Sequence, residues 1–162
     1  MQSRVVKPTV RAITTRWALA LSMFSVLTAC SPQPDVSTTS DESLSWQQQD
    51  GTVVVNYFAE WCAPCLRELP ELNEFYHEDV VNNDELQLIG VSFDPLTNEQ
   101  VHQLAERHGI EYPLALSKPA PAFPFERPKM LPATYIIKAD GSVEGPLMGE
   151  QSLSSLRAAV AD

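Results

Sequence analysis

The spacing of apolar residues divides the C-terminal two thirds of the chain into alternating strands and helices. Residues 52–59 and 86–93 are nearly continuous apolar runs, which is typical of strands buried on both faces of a sheet. Each run is followed by apolar residues at helical spacing, namely Leu66, Leu69, Leu72 and Tyr76, then Val101, Leu104 and Ala105. Two successive strand–helix pairs predict a parallel sheet with right-handed crossovers.

The remaining pattern predicts short strands and one more helix. Short strands are expected over 113–116 and 134–138, followed by a tight Asp140-Gly141 turn into a strand over 142–148. A final helix has Leu153, Leu156 and Val160 on one face. Between them, residues 117–130 contain four prolines and two phenylalanines, a composition that disfavours a long helix. We interpret this stretch as a surface loop with its aromatic residues on the core, rather than as a partner-binding lid.

The N-terminal residues have the pattern of an export signal. Four basic residues precede an apolar run over 17–29, which is short for a bilayer span. Leu27-Thr28-Ala29-Cys30 resembles a bacterial lipobox, in which cleavage precedes a cysteine that becomes lipidated. An uncleaved anchor with an incidental cysteine is the alternative. Both interpretations place the rest of the chain outside the cytoplasm.

These features divide the chain into three parts. Residues 1–29 are expected to be a lipoprotein signal peptide, and 30–45, rich in Ser, Thr, Pro and Asp, a lipid-anchored flexible tether. Residues 46–162 are long enough for a single domain. We therefore expect a periplasmic protein held to a bacterial membrane by lipid at Cys30, and Ser31 after it favours the outer membrane under the sorting rule of Gram-negative bacteria.

The charge of the chain disfavours nucleic-acid binding. The full sequence has a net charge of −10, and removing 1–29 leaves seven basic and 21 acidic residues, a net of −14. Phosphate contacts need clustered Lys and Arg, which this composition does not provide. An acidic surface serves solubility, or it steers basic partners.

Candidate chemistry is concentrated in Trp61-Cys62-Ala63-Pro64-Cys65, between the first strand and the first helix. Unpaired N–H groups at a helix start stabilise a thiolate, which makes Cys62 the attacking sulfur and Cys65 the one that closes the disulfide. A two-residue loop gains little stability from a disulfide, so redox chemistry is the better explanation. Zinc would need further ligands, and the chain has only three histidines and no second C-x-x-C motif, so no metal is expected.

The segment from Asn56 to Cys65 resembles the active-site segment of thioredoxin-fold proteins. Pro70 matches the helix kink of that family, and 131–137 resembles its cis-proline segment and following strand. Glu68 resembles the active-site glutamate of the TlpA and ResA type, which are membrane-tethered thiol–disulfide oxidoreductases. The resemblance covers 52–162 and implies an α/β thioredoxin fold, a single domain with a central mixed β-sheet flanked by helices on both faces.

The resemblance also implies roles for individual residues. Cys62, Cys65 and Glu68 are the expected catalytic residues, and Trp61 is expected to bind substrate together with Leu131 and Pro132. Pro132 is expected to be cis, with the Leu131 backbone pairing with an extended substrate segment. Asn56 replaces a buried aspartate of thioredoxin that helps to move the proton of the deeper cysteine. Glu68, if buried, would have a raised pKa and could take over this role.

The predicted function is reduction of protein disulfides, without a cofactor, by a monomer recharged by a membrane electron donor of the DsbD/CcdA type. The Ala-Pro pair between the cysteines resembles the Gly-Pro of thioredoxin more than the Pro-His of strong oxidants. Three alternatives stay open. One is a peroxiredoxin-like peroxidase, although the usual Pro-x-x-x-Thr-x-x-Cys pattern is absent. The others are a metal-delivery protein and a non-catalytic binding lipoprotein with the same fold.

Overall fold

A computed structural model describes residues 33–161 of the chain. The predicted signal peptide and the predicted lipidation site Cys30 lie outside these residues. Six strands, three α-helices and a short 3-10 helix (Trp46–Gln48) are present in this range. In chain order they are β1 (Val36–Ser37), β2 (Ser43–Leu44), β3 (Thr52–Phe58), α1 (Ala63–Phe75), β4 (Leu86–Ser92), α2 (Asn98–His108), β5 (Ala133–Ile137), β6 (Val143–Met148) and α3 (Leu153–Ala161).

Four of the strands form one mixed sheet in the order β4-β3-β5-β6. β3 and β4 run parallel, whereas β3 with β5 and β5 with β6 are antiparallel. Asn56 at the centre of β3 lies opposite Gly90 on one side and Thr134 on the other. Because Tyr57 lies opposite Ala133, the residues just before β5 lie beside the C-terminal end of β3.

The side chains of the sheet alternate between two hydrophobic clusters. Val54 and Phe58 of β3 belong to the first, while Val53, Val55 and Tyr57 belong to the second. This alternation is the two-residue period of a strand that is buried on both faces. The mixed sheet and the single thioredoxin-like domain predicted from the sequence are confirmed.

The sheet was predicted to have helices on both faces, but the three helices pack on one face only. Buried side chains of all three helices, including Leu72, Leu104 and Leu156, belong to the first cluster. Within residues 33–161, the second cluster is instead covered by the β1–β2 hairpin, the 3-10 helix residue Trp46, and Phe123 and Phe125. The four prolines of 117–130 prevent a helix in that segment, so its aromatic side chains cover this face.

The predicted flexible tether is wrong for residues 33–45. These residues form the β1–β2 hairpin, in which Val36 lies opposite Leu44, and Thr38 forms a bridge with Ala115. Val36 is 1% exposed and Leu44 is also buried. The segment is polar on average, but its two apolar side chains enter the second cluster and hold it to the domain.

Most local signals are confirmed, with small differences at element ends. Thr97 and Gln100 form a capping box at the start of α2, and Gly109 ends that helix with φ 61°. α1 contains Pro70 and passes into a π-helical turn over Tyr76–Val80. The stretch predicted as a strand over 113–116 makes isolated bridges only. No helix within 33–161 has the length and apolar character needed to cross a bilayer.

Candidate active site

The two cysteines lie where β3 ends and α1 begins. Cys62 is the N-cap residue of α1, and its Sγ accepts a hydrogen bond from the Cys65 N–H at 3.3 Å. Pro64 occupies the first turn, where a missing N–H is tolerated. Cys62 and Cys65 are joined by a disulfide. Cys62 is 5% exposed and Cys65 is fully buried, so Cys62 is the sulfur that a partner can reach.

Trp61 flanks the disulfide at the surface with 65% of its area exposed. Its indole N–H donates to both carboxylate oxygens of Asp94 at 3.1 Å. Its ring meets Phe93 edge-on, with 6.1 Å between the ring centroids. These contacts join the residue before Cys62 to the loop that follows β4.

The Leu131–Pro132 bond is cis, as the resemblance implies. Since Tyr57 of β3 lies opposite Ala133, these two residues lie beside the end of β3 from which the cysteine segment continues. Leu131 is half-buried and packs against the cluster that contains both cysteines. The Pro132 carbonyl accepts a hydrogen bond from the Gly149 N–H at 3.0 Å. The predicted substrate-binding residues thus lie on the side of the domain that carries the disulfide.

Glu68 lies three residues after Cys65, on the same face of α1, and is 1% exposed. Its Oε1 accepts a hydrogen bond from Asn56 Nδ2 at 2.8 Å, and its Oε2 accepts one from the Gln151 N–H at 2.9 Å. Burial raises the pKa of Glu68 to about 7, although both hydrogen bonds favour the ionised form. The predicted burial and raised pKa are both present, and this carboxyl group titrates in the range suited to proton transfer.

Asn56 connects Glu68 to the sheet. Its Nδ2 also donates to Thr134 Oγ1 at 3.1 Å, which fixes the orientation of the amide between β3 and β5. In the sequence, Asn56 is notable only because it stands where thioredoxin has an aspartate. The structure shows that its amide donates to the buried carboxyl group of Glu68. Gln151 was missed, because its contact with Glu68 is made by a backbone N–H, which any residue type except proline supplies.

Two buried polar atoms near this network have no hydrogen-bond partner among the described residues. They are Asn56 Oδ1 and the Tyr112 hydroxyl group. Burial raises the pKa of Tyr112 strongly, and the charge of Glu68 raises it further, so the hydroxyl group stays neutral. In residues 33–161, no three His, Cys, Asp or Glu side chains are close enough to hold a metal ion. The site therefore combines a dithiol pair with one buried carboxyl group.

A mixed sheet, a disulfide that caps the first helix and a cis-proline segment beside it define the class of thioredoxin-fold redox proteins. The model of the AhpC/TSA family matches residues 29–145, and the chain belongs to this family. Thiol-disulfide oxidoreductase ResA of Bacillus anthracis is 28% identical over 104 residues, which are 64% of this chain and 58% of the relative. The chain thus spans less than two thirds of the length of the curated relatives it matches.

Solved structures agree with this class. StoA from Bacillus subtilis superposes with a TM-score of 0.62 at 21% identity, covering 76% of this chain and 92% of that one. A thiol:disulfide interchange protein from Chlorobium tepidum gives a TM-score of 0.59 at 22% identity, covering 81% and 97% of the two chains. These similarities show the thioredoxin-like fold. The match to the ResA relatives confirms the resemblance to the TlpA and ResA type.

Proposed function

We propose that the protein is an extracytoplasmic thiol–disulfide oxidoreductase that reduces protein disulfides. The observation that carries this proposal is the position of Cys62 Sγ, which caps the first turn of α1 and is bonded to the buried Cys65. A helix N-terminus lowers the pKa of a cysteine placed there and so provides a thiolate at neutral pH. The names of the ResA relatives support the same activity.

The reaction starts when the reduced protein meets a partner disulfide. The Cys62 thiolate attacks one partner sulfur, the partner S–S bond breaks, and a mixed disulfide forms. The other partner sulfur leaves as a thiolate and takes up a proton. Cys62 performs this step because Cys65 is fully buried.

The second step releases the partner. Cys65 transfers its proton to Glu68 and attacks Cys62 Sγ, which expels the remaining partner sulfur as a thiolate. This thiolate also takes up a proton, so the partner gains two electrons and two protons in total, and the Cys62–Cys65 disulfide forms. Glu68 suits this role because its pKa of about 7 allows it to be ionised before the transfer and to hold the proton afterwards.

Substrate binding is proposed at Trp61, Leu131 and Pro132. The backbone N–H and C=O of Leu131 have no hydrogen-bond partner in residues 33–161, so both are free to pair with an extended partner strand. Trp61 presents a large exposed ring directly before Cys62. Backbone pairing is independent of partner sequence, which suits an enzyme that acts on several proteins.

The direction of the reaction is tested by the reduction potential of the Cys62–Cys65 pair. The full chain carrying Cys30→Ser, purified in detergent, is equilibrated with dithiothreitol so that the pair holds the only thiols. We expect a reduction potential close to that of thioredoxin, about −270 mV, which is typical of a reductase. A reduction potential close to that of DsbA, about −120 mV, contradicts the proposed direction. Consumption of hydroperoxide without a disulfide substrate would assign a peroxidase instead.

The proposed location rests on the sequence of the first 31 residues. We propose that 1–29 are a signal peptide, that Cys30 carries lipid, and that the protein faces the periplasm from the outer membrane. The monomer is recharged by a donor of the DsbD/CcdA type. Cells labelled with radioactive palmitate should incorporate label into the wild-type chain and none into Cys30→Ser. Ser31→Asp should move the labelled protein to the inner membrane, and label retained by Cys30→Ser rejects lipidation at this residue.

A further inference from the structure

A groove of about 850 Å³ adjoins Trp61 on the face of the sheet that carries the second cluster. It lies between the loop after β4 and the proline-rich segment 117–130. Its aromatic wall is formed by Tyr57, Phe93, Phe123 and Phe125. Phe93 is also the ring that meets Trp61, so the groove begins next to the residue before Cys62.

The aromatic wall is fixed before any partner arrives. Phe123 and Phe125 stack with 5.3 Å between their centroids, and Phe125 stacks on Tyr135 at 3.9 Å. Tyr57 meets both phenylalanines edge-on. The two phenylalanines are only half-buried, so apolar ring surface remains open to the groove. A fixed wall loses little side-chain entropy on binding. The apolar ring surface favours an apolar side chain as occupant.

Unpaired positive charge is concentrated at this groove. In residues 33–161, four of the seven basic residues form ion pairs with carboxylates, namely Arg67, Arg107, Lys138 and Arg157. The three that form none are Lys118, Arg127 and Lys129, all exposed and all in segment 117–130. Lys118 and Arg127 line the groove. On a chain with a net charge of −10, this is a local site for negative charge.

Arg127, one of the residues that line the groove, is held in place by Phe93. Its guanidinium lies 3.7 Å from the Phe93 ring centroid and donates to the Phe93 carbonyl. The one carboxylate in the groove lining, Asp94, accepts from the Trp61 indole instead. Lys118 has its backbone fixed to Asn98 by two hydrogen bonds of 2.8 and 2.9 Å, while its side chain is exposed.

We propose that this groove binds the polypeptide segment next to the partner disulfide, and selects segments that combine an apolar side chain with acidic ones. The inference rests on the proposed disulfide reductase function and adds a substrate preference to it. Charge complementarity decides the occupant, because the unpaired cations at the groove attract carboxylates. The long-range field of the acidic chain acts in the opposite direction and favours basic partners. The two effects therefore predict opposite preferences.

The test compares two symmetrical peptide disulfides, each containing phenylalanine and one cysteine, flanked by glutamates in one and by lysines in the other. The prereduced full chain with Cys30→Ser reacts with each in a single turnover, during which the dithiol is oxidised and the peptide disulfide is reduced to two thiols. We expect the glutamate peptide to react about five- to tenfold faster, the scale of a few exposed ion pairs. Higher salt should reduce the preference.

Variants show whether the groove causes the preference. Lys118→Gln should lower it to about two- to threefold and Lys118→Glu should reverse it, without a change in the fixed backbone. Lys129→Gln removes the same charge from the same segment but outside the groove, and should keep most of the preference. Arg127→Gln should lower the preference as Lys118→Gln does.

A small neutral disulfide separates this inference from the proposed function. Hydroxyethyl disulfide has neither a charge nor an apolar side chain for the groove to select, so every variant should reduce it at the wild-type rate. Equal rates for the two peptides, or a faster lysine peptide, overturn the groove proposal if hydroxyethyl disulfide is still reduced. If none of the three disulfides is reduced, the reductase function fails and this inference fails with it.

Discussion

Replacing Cys65 with serine will leave the protein covalently attached to its partners. Cys62 still attacks a partner disulfide, but no second sulfur resolves the mixed disulfide, so turnover falls to the rate of uncatalysed exchange. Cys62→Ser will also lose turnover, yet it will trap no partner, because Cys65 is fully buried. The measurement is separation of cell extracts on non-reducing gels, followed by identification of the trapped partners by mass spectrometry.

The two single variants serve as controls for each other, and a Cys62→Ser, Cys65→Ser double variant gives the background. Partners trapped by Cys62→Ser but not by Cys65→Ser reverse the assigned roles. Full turnover in Cys65→Ser shows that one cysteine is sufficient and removes the resolving step. The trapped proteins also reveal the substrates, and their segments next to the reacting cysteine can be compared with the preference inferred for the groove.

Replacing Glu68 with glutamine will slow the resolving step by about 100-fold at pH 8, the lower end of the range for general base catalysis. In the wild type, this step should accelerate as the pH rises through about 7, because only the ionised carboxylate accepts the proton of Cys65. Glutamine cannot accept it, so the acceleration near pH 7 should disappear. Stopped-flow measurement of mixed-disulfide resolution between pH 5 and 9 gives both quantities.

Glu71→Gln is a matched control for this experiment. Glu71 lies one turn further along α1, and its Oε2 accepts a hydrogen bond from the Leu153 N–H at 2.8 Å, much as Glu68 accepts one from Gln151. Loss of this carboxylate should leave the pH profile of resolution unchanged. A Glu68→Gln variant that keeps the acceleration near pH 7 argues against proton transfer by Glu68.

The raised pKa of Glu68 also makes stability depend on pH. The unfolded chain loses this proton near 4.5, the ordinary pKa of a glutamate, whereas in the folded protein the pKa is about 7. Between these values the folded state binds more protons, so its free energy of unfolding falls as the pH rises. The loss is about 3 kcal/mol, at 1.36 kcal/mol for each pKa unit. Denaturation of the oxidised protein at pH 5 and 8 should show most of this decrease in the wild type and not in Glu68→Gln.

The redox centre could be predicted from the sequence alone. Cys62 and Cys65 lie at a strand-to-helix junction, and that junction could be recognised because strand and helix periods are local properties of the chain. The capping box at Thr97 and the end of α2 at Gly109 were predictable for the same reason. The cis Pro132 followed from the resemblance of a short segment.

The surroundings of that centre depend on tertiary contacts and could not be predicted from the sequence. The Gln151 N–H donates to Glu68, which lies 83 positions earlier in the sequence. The hairpin of 33–45 is held to the domain because Val36 packs in a cluster of residues that are remote from it in sequence. The groove joins the loop after β4 to a proline-rich segment more than 20 residues later, and its excess positive charge appears only when ion pairs elsewhere are known. Burial and charge pairing are sums over contacts between remote residues, and these contacts exist only in the folded chain.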